Sequence, residues 1–494
     1  MKKLLSVLLC GLLLTSCAAA ENTSDAASHV TYEIFVASFA DHDGDGRGDL
    51  LGIVDKLDYL EALGVDRLWL MPVHPSPSYH KYDVTDYEAI DPAYGTLADF
   101  DTLTSSCAAR GMGVTLDLVV NHTSKEHPWF KAACAALAAG EDSPYIDWYH
   151  FTQGEGQHPV PNAEGWFYEG QFGDHMPDLN LDSAEVRGEI AKIVTFWQSH
   201  GVTGFRLDAV TSYYTGADKS NADFLTFLTQ TAKANDPACT VTGEAWTDAQ
   251  SILNLYASGV DSLFNFPMAD NDGRFVKSAL NGTGAAAATA LAEWNDKLHA
   301  ASADSFDSPF LSNHDMARVR GSLRSDVTKM KIAAMLYLLA PGQPTVYYGE
   351  ELGMSGAGRD ENKRLPMVWS TAEGTVLCAP PADADQEQRL KEGADAQDKD
   401  ADSLLNCYRH VIALRKSCPE LYRGTMEAIE AGNDAVAWVR VTEDDSTVNI
   451  LINASDKESA VIAVQDGTLM GSYGAAELSA DGLTLGAASC AVLR

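Results

Sequence analysis

Residues 204–208 read Gly-Phe-Arg-Leu-Asp, which is typical of a short buried strand that ends in a carboxylate. Side chains alternate between the two faces of a strand, so Arg206 and Asp208 point the same way while Phe205 and Leu207 pack on the opposite side. A guanidinium beside a carboxylate favours its ionised form and lowers its pKa, as a nucleophile at neutral pH requires. A buried structural ion pair would have the same sequence pattern.

Three other segments share this build, in which an apolar run is followed abruptly by polar residues. They lie at 114–122, 241–246 and 310–315. Together they supply Asp117, Asn121, His122, Glu244, Asn313, His314 and Asp315. The four segments predict a group of polar side chains at the ends of neighbouring strands.

Strand-like and helix-like segments alternate from Val30 onward. Ile53–Leu63 is amphipathic with helical spacing, and Glu185–His200 follows a capping-box pattern at Asp182 and Glu185. The predicted strands are Tyr32–Phe39, Asp66–Met71, Val114–Val120, Gly204–Asp208, Thr240–Glu244, Ser262–Phe266, Pro309–Asn313 and Pro344–Tyr348. Eight strands, mostly with helices between them, predict an α/β fold of the (β/α)8 TIM barrel type.

Two further regions complete the predicted architecture. A long stretch rich in Trp, Tyr and Gly replaces the short loop after the third strand, which predicts a small inserted subdomain at 121–181. Short alternating strands predict a C-terminal all-β domain at 419–494. The catalytic barrel would then comprise residues 30–120 and 182–418.

The composition sets limits on the partners of the protein. The chain has 494 residues, 46% of them hydrophobic, so it can bury a large core. Asp and Glu number 70 against 35 Lys and Arg, for a formal net charge of −35. Nucleic acids and anionic membrane surfaces bind clustered Lys and Arg, so the composition argues against both as partners.

Residues 1–17 are typical of a signal peptide. Lys2 and Lys3 precede the apolar run Leu4–Leu14, which is too short to span a bilayer. The run ends in Leu14-Thr15-Ser16-Cys17, which resembles the bacterial lipoprotein signal, and residues 18–29 would form a tether. We expect an extracytoplasmic protein attached to membrane lipid by acyl chains on Cys17. An ordinary secretory peptide is the alternative.

The nine cysteines give no sign of a disulfide framework. Setting aside Cys10 and Cys17 leaves an odd number, so at least one is free, and their wide spacing matches no metal motif. We expect them to be small buried hydrophobic residues.

Four carboxylates are predicted at strand ends: Asp117, Asp208, Glu244 and Asp315. The catalytic groups of a β/α barrel lie at the carboxyl ends of its strands. Clustered carboxylates repel one another, so a purely structural role explains them poorly. Glycoside hydrolysis is a chemistry that needs them.

Five short segments resemble, in order, the signature regions of the α-amylase family of glycoside hydrolases. They are 117–122 (Asp-Leu-Val-Val-Asn-His), 176–180 (Met-Pro-Asp-Leu-Asn), 204–208, 243–246 (Gly-Glu-Ala-Trp) and 310–315 (Phe-Leu-Ser-Asn-His-Asp). The resemblance covers nearly all of the chain from Val30 onward. It implies a retaining hydrolase that cleaves α-glucans by double displacement.

The resemblance also implies roles for particular residues. Asp208 would be the nucleophile, Glu244 the general acid/base, and Asp315 the residue that binds the sugar at the cleavage subsite and stabilises the transition state. The implied substrate-binding residues are Tyr82, Asp83, His122, Arg206 and His314. Among these, Tyr82 would stack on the sugar and Arg206 would position Asp208.

Glu244 has to begin the reaction protonated. A less cationic setting near Trp246, together with the negative charge of Asp208, would raise its pKa. A retaining enzyme also needs its two carboxyl groups about 5–5.5 Å apart.

Residues 41–49, Asp-His-Asp-Gly-Asp-Gly-Arg-Gly-Asp, form a second chemical motif. Acidic oxygens at alternate positions around a glycine can wrap a calcium ion. An EF-hand would carry Glu where Gly52 stands, so this loop is not a true EF-hand. Family members with such a loop carry calcium there, which implies Ca²⁺ as a cofactor, and a solvated acidic turn is the alternative. The implied ligands are Asp41, Asp43, Asp45, Arg47 and Asp49.

Three features bear on specificity within the family. Many amylases carry Lys-His where this chain has Thr211-Ser212, which removes a contact on the leaving-group side and weakens the case for a second calcium site. Ala209 resembles members that cleave α-1,4 links. Residues 176–180 resemble a group intermediate between amylases, cyclomaltodextrinases and oligo-glucosidases.

We therefore expect an α-amylase that acts on starch or malto-oligosaccharides. An oligosaccharide-preferring α-glucosidase, a cyclomaltodextrinase or a glucanotransferase is the alternative within the family. A catalytically silent glucan-binding lipoprotein is the alternative from another class. The silent protein is disfavoured because such relatives usually lose a catalytic carboxylate, and all three are present here.

Overall fold

The computed structural model describes residues 29–464 and 467–494. The predicted signal peptide, Cys17 and residues 18–28 of the tether lie outside the described residues. Within the described ranges, no helix has the length and apolar character needed to cross a membrane. The seven cysteines in those ranges are all buried, as predicted, and all of them are free.

Eight parallel strands form one sheet that curls into a nearly closed barrel. In chain order they are Thr31–Ile34, Arg67–Leu70, Gly113–Leu118, Gly204–Leu207, Thr240–Gly243, Ser262–Phe264, Phe306–Ser308 and Thr345–Tyr347. Consecutive strands pair from the first to the seventh, and the first also pairs with the eighth. An isolated bridge between Phe310 and Thr345 completes the ring. The predicted TIM barrel is confirmed.

Two strands differ from their predicted positions. The seventh forms at Phe306–Ser308 instead of 309–313, because Pro309 has no amide hydrogen with which to continue the ladder. The first ends at Ile34, since the chain then turns into a 3₁₀ segment at Val36–Ser38. Both shifts lengthen the loops that carry functional side chains.

Helices surround the barrel. They are Leu50–Asp55, Leu57–Leu63, Leu97–Ala108, Ala184–Ser199, Asp218–Asn235, Ala249–Leu255, Arg274–Asn281, Gly284–Ala301, Val319–Ser322, Val327–Leu338, Asp360–Lys363, Ala394–Gln397 and Leu404–Lys416, with further 3₁₀ turns at Tyr256–Ser258, Glu350–Leu352 and Pro419–Leu421.

The helix caps refine two of the sequence predictions. The predicted Ile53–Leu63 helix is two helices broken at Lys56, and the first begins at Leu50 because the Asp49 carboxylate accepts a hydrogen bond from the Gly52 amide. The helix predicted after Asp182 is capped one residue later, by the Ser183 hydroxyl.

A small subdomain follows the third strand. It contains the helix Pro128–Ala139, a 3₁₀ turn at Pro144–Trp148, and a three-stranded antiparallel sheet. The strands of that sheet are Phe151–Gln153, His158–Pro159 and Trp166–Tyr168. Its last loop returns to the barrel mouth and brings Phe172 and His175 to the cavity described below.

The C-terminal region is an antiparallel sandwich of two sheets. One sheet has five strands, Thr425–Ala428, Val436–Glu443, Ser446–Asn453, Leu469–Tyr473 and Ser489–Leu493. The other has three, Ala460–Ile462, Ala476–Ser479 and Gly482–Leu485. Val436, Leu451 and Leu483 pack between the two sheets, whereas Val439 and Ile450 join the core of the barrel. The sandwich therefore packs against the barrel through a shared apolar layer.

Candidate active site

A cavity of about 490 Å³ opens at the carboxyl ends of the barrel strands. Five of the predicted site residues line it: Tyr82, His122, Asp208, Glu244 and Asp315. The wall also includes residues that we did not predict as site residues, among them His80, Phe172, His175, Trp246, Asp360 and Arg364. The loops after several different strands thus contribute to one cavity.

Arg206 holds three carboxyl groups together beneath the cavity. Its Nη1 donates to Asp117 Oδ1 at 2.9 Å and to Asp208 Oδ1 at 2.7 Å, and its Nη2 lies 2.9 Å from Glu244 Oε2. Asp117 and Arg206 are buried, while Asp208 and Glu244 reach the cavity. Because one guanidinium touches all three groups, their mutual repulsion is offset and they stay close together.

Glu244 is bonded asymmetrically. Its Oε2 accepts a hydrogen bond from the Ala209 amide at 3.2 Å and also faces Arg206, whereas its Oε1 has no hydrogen-bond partner among the described residues. Burial raises the pKa of Glu244 to about 7, and the charges of Asp208 and Asp315 act in the same direction against Arg206. The predicted direction is confirmed, but the expected cation-poor setting is wrong because Arg206 contacts this carboxyl group.

Ala209 follows Asp208 in a left-handed backbone conformation, with φ at 45°. Such a conformation is unfavourable for a residue with a Cβ atom. It aims the Ala209 amide at Glu244, so the turn after the fourth strand links the two carboxyl groups that line the cavity.

Asp315 lies between two cations. Its Oδ1 accepts a hydrogen bond from Arg364 Nη2 at 3.0 Å, and its Oδ2 lies 3.1 Å from His314 Nε2. Burial would raise the pKa of Asp315, but His314 and Arg364 hold it well below its usual range. Asp315 is therefore ionised throughout the neutral range, and about a third of its side chain is exposed at the cavity.

Three of the predicted substrate-binding residues do not line the cavity: Arg206, which lies beneath it, Asp83 and His314. Asp83 is buried and accepts hydrogen bonds from Ser76 and Ser78. The His314 ring is fully buried and contacts Tyr82 Oη at 2.7 Å. His314 thus acts on the cavity through Tyr82 and Asp315.

His122 and Tyr82 do line the cavity, and they contact each other. His122 Nε2 lies 3.2 Å from the Tyr82 carbonyl oxygen, and burial lowers the pKa of the His122 ring. The Tyr82 hydroxyl donates to Asp117 Oδ2 at 3.0 Å. Together these contacts fix the orientation of both rings.

Two exposed aromatic side chains form walls of the cavity. Trp246 is 52% exposed and stacks on Phe266, with ring centroids 5.1 Å apart. Phe172 is 44% exposed and packs against His122. Large apolar residues this exposed at a polar cavity are typical of a binding surface. Trp246 belongs to the family segment 243–246, and Phe172 lies four residues before the family segment 176–180. Their closeness to these segments could have identified both as candidate site residues from the sequence.

The acidic loop, residues 41–49, directly precedes the first helix, which begins at Leu50. Carboxylate oxygens of Asp41, Asp43 and Asp49 lie within 4.8 Å of one another. Asp45 does not belong to this group, and its Oδ1 accepts a hydrogen bond from the Arg47 amide at 2.7 Å. Three converging carboxylates are an oxygen-only ligand set that suits calcium.

Gly52 explains why the loop departs from an EF-hand. A Cβ atom at Gly52 would lie 2.0 Å from the Ala40 carbonyl oxygen. The backbone at this position leaves no room for the glutamate that an EF-hand would require.

Comparison with known proteins adds a family to this geometry. The family profile described as "Alpha amylase, catalytic domain" matches residues 33–424. The chain belongs to the α-amylase family of glycoside hydrolases. It is 36% identical to Alpha-amylase 3 of Dictyoglomus thermophilum, over 87% of this chain and 85% of that protein.

Other members of the α-amylase family are similar as well. The solved structure described as Eubacterium rectale Amy13B superposes with a TM-score of 0.89 and 39% identity, covering 95% of this chain and 96% of that one. Glucan 1,6-alpha-glucosidase of Streptococcus dysgalactiae is 29% identical over 86% of this chain and 90% of its own length. The protein is therefore a glycoside hydrolase of a family whose members differ in specificity.

Proposed function

We propose that this glycoside hydrolase cleaves α-1,4-glucosidic bonds in starch or malto-oligosaccharides with retention of configuration. The observation that carries the proposal is the Arg206 guanidinium, which contacts Asp208 and Glu244 together. One guanidinium can reach both carboxyl groups only if they are close, which favours the short separation of retaining enzymes over the wider gap that admits a water molecule in inverting ones.

In the first step Asp208 attacks the anomeric carbon. Glu244 gives its proton to the glycosidic oxygen as the bond to the leaving sugar breaks. Oε1 is the atom suited to carry that proton, because Oε2 is already occupied by Arg206 and Ala209. A pKa of about 7 keeps a large share of Glu244 protonated at neutral pH.

In the second step Glu244 acts as a base. Having lost its proton, it takes one from the water that attacks the glycosyl ester on Asp208, and the sugar leaves with its original configuration. Asp315, ionised between His314 and Arg364, stabilises the positive charge that develops on the sugar in both transition states.

The α-amylase specificity rests on three observations. The more similar curated relative described above is an amylase, and the α-1,6-specific one is less similar. Ala209 leaves space beside Asp208. Trp246 and Phe172 offer two separate aromatic faces, which suits a chain of several sugars. A glucosidase, cyclomaltodextrinase or glucanotransferase of the same family is the second candidate, supported by the 176–180 segment.

Product analysis tests the proposed specificity. Starch, maltotriose, isomaltose, pullulan and cyclodextrin are digested, and the products are separated by chromatography. We expect mixed malto-oligosaccharides from starch and much faster cleavage of maltotriose than of isomaltose. Comparable rates of cleavage of maltotriose and isomaltose, or glucose as the sole early product from starch, would favour the second candidate.

We also propose that the acidic loop binds calcium through Asp41, Asp43 and Asp49, and that the ion stabilises the fold next to the first helix. Calcium at a free concentration of a hundred times its Kd would stabilise the folded state by about 2.7 kcal/mol. Chelator should lower the Tm of the wild type and of Asp45→Ala, but should leave that of Asp43→Ala unchanged. Equal sensitivity of all three proteins would locate the important ion elsewhere.

The N-terminal segment supports a proposal about location. The basic start, the apolar run and the Cys17 motif favour a lipid-anchored protein outside the cytoplasm. Cys17→Ser should abolish labelling by a fatty-acid analogue, and persistent labelling of that variant would refute the anchor.

A further inference from the structure

Glu33 is a buried carboxylate beneath the active site. It lies outside the five segments that resemble the signature regions of the α-amylase family. It lies on the first barrel strand and is fully buried. Its Oε1 lies 2.5 Å from His314 Nδ1, and its Oε2 has no hydrogen-bond partner among the described residues. Glu33 therefore makes one strong polar contact, and that contact is with His314.

The hydrogen bonds around His314 are all satisfied when both of its ring nitrogens carry hydrogen. The Tyr82 hydroxyl has a single hydrogen, which it donates to Asp117. His314 Nε2, at 2.7 Å from the same hydroxyl oxygen and 3.1 Å from Asp315 Oδ2, then faces two acceptors. Nδ1 faces the Glu33 carboxylate. An imidazolium ion satisfies all of these contacts at once.

We propose that Glu33 is a positioning residue that holds His314 as an imidazolium and thereby fixes Asp315 and Tyr82 against the substrate. The inference rests on the proposed function for the role of Asp315. The path runs from Glu33 through His314 to the cavity, and no step of it requires Glu33 to touch the substrate.

Carboxylates dominate the surroundings of His314. Its ring contacts Glu33, Tyr82 and Asp315, and it also interacts through charge with Asp117 and Glu244. Burial lowers the pKa of His314, but Asp315 and Glu33 together raise it to about 10. Removal of the Glu33 charge leaves Asp315, among the described residues, as the only carboxylate in direct contact with His314, so the pKa of His314 falls.

The sign of the pH effect follows. In the wild type His314 stays cationic up to about pH 10. In Glu33→Gln it loses the Nδ1 proton at lower pH, because the glutamine amide can donate a hydrogen bond to Nδ1. Asp315 then faces a neutral ring in place of a cation and is held less firmly. The activity of Glu33→Gln relative to wild type should therefore decrease as the pH rises from 6 to 9.

Glu351→Gln is the matched control. Glu351 is also a fully buried glutamate at the same end of the barrel, but its partners are the Tyr32 and Tyr59 hydroxyls. We expect Glu351→Gln to keep a constant kcat/KM ratio to wild type across this pH range. For Glu33→Gln we expect that ratio to fall at least tenfold.

Nitrogen NMR of ¹⁵N-histidine protein measures the protonation state without any substrate. The His314 signals are assigned by their loss in His314→Asn. We expect two protonated nitrogens at pH 8 in the wild type and in Glu351→Gln, and a neutral ring in Glu33→Gln. A neutral His314 in the wild type would overturn the proposal even if neither glutamine variant folds.

A constant activity ratio for Glu33→Gln, or unchanged His314 signals, would overturn the proposal too. The proposed function fails separately: a wild type that does not hydrolyse α-glucans would refute that function but leave the NMR result standing.

Discussion

Two groups of carboxyl groups lie at the same end of this barrel and are stabilised in different ways. The first contains Asp208, Glu244 and Asp315 and is paired with guanidinium and imidazolium groups. The second contains Glu350 and Glu351, which follow the eighth strand and accept hydrogen bonds from tyrosine hydroxyls.

The difference in partners gives a difference in charge. Two phenols, Tyr337 and Tyr408, donate to Glu350 Oε1 at 2.8 and 2.9 Å, but burial outweighs them and raises the pKa of Glu350 to about 8. In the first group the cations hold the pKa of Asp315 far below its usual range. The phenols thus leave Glu350 largely neutral at pH 7, whereas His314 and Arg364 keep Asp315 charged.

The comparison separates catalysis from packing. Only the first group opens onto the cavity, and it contains both an ionised carboxylate and a carboxyl group with a pKa of about 7. Acid/base chemistry needs two such groups with separated pKa values. The second group has no access to substrate and contributes to the packing of the helices around the eighth strand.

The largest expected effect is that of Asp208→Asn. Removal of the attacking carboxylate should lower kcat on the order of 10⁴-fold, the scale for deleting one member of a catalytic set. Glu351→Gln, in the second group, should retain most of the wild-type kcat. Steady-state kinetics on maltotriose measures kcat for both variants. Comparable decreases in kcat would contradict the distinction between a catalytic and a packing group.

Glu244→Gln tests the second role in the first group. It should lower kcat by about 10²–10⁴-fold on glucans, because the leaving oxygen receives no proton. A substrate with a good leaving group should restore the first step and let the glycosyl-enzyme accumulate.

The pH profile provides a companion measurement. The acid must be protonated, so kcat/KM of the wild type should fall as the pH rises above about 7. This decrease at alkaline pH should be absent in Glu244→Gln. If it persists in the variant, another group is responsible for it.

Trp246→Ala should have a smaller effect, confined to binding. Loss of one stacked aromatic face corresponds to about 0.5–1.5 kcal/mol, or up to roughly tenfold in KM for malto-oligosaccharides. The pH profile should not move, because Trp246 carries no charge. A shifted profile would mean that the indole also controls the carboxylate cluster.

Glu350→Gln should change only stability, and in a pH-dependent way. The pKa of Glu350 is raised from 4.5 to about 8 on folding, so the folded protein binds more protons and loses stability as the pH rises through this window. Glu350→Gln has no carboxyl group to titrate at this position, so its stability does not decrease for this reason. Its Tm relative to wild type should therefore increase from pH 5 to pH 8, and a flat or decreasing difference would contradict the account.

Much of the first group was predictable from the sequence, because its carboxylates follow apolar strands directly. Asp208 and Glu244 stand at strand ends that periodicity reveals, and the barrel then brings them together. Asp315 was found through its segment, although the strand before it forms three residues earlier than predicted, since Pro309 interrupts the ladder.

The supporting contacts were not predictable. Glu33 meets His314 across 281 positions in the sequence, and its strand shows no polar signal except the residue itself. The electrostatic surroundings of Glu244 were predicted wrongly, because Arg206 Nη2 contacts its carboxyl group. That contact depends on the register of neighbouring strands. Asp83 was placed at the cavity by its neighbour Tyr82, but side chains of adjacent residues point in different directions.

Covalent trapping tests the central claim most directly. The wild type and Asp208→Asn are incubated with a fluorinated glucosyl donor, digested, and analysed by mass spectrometry. We predict that one glucosyl group is attached to the wild type, on the peptide that contains Asp208, and that the variant carries none. A label on another residue, or a product released with inverted anomeric configuration, would contradict the account.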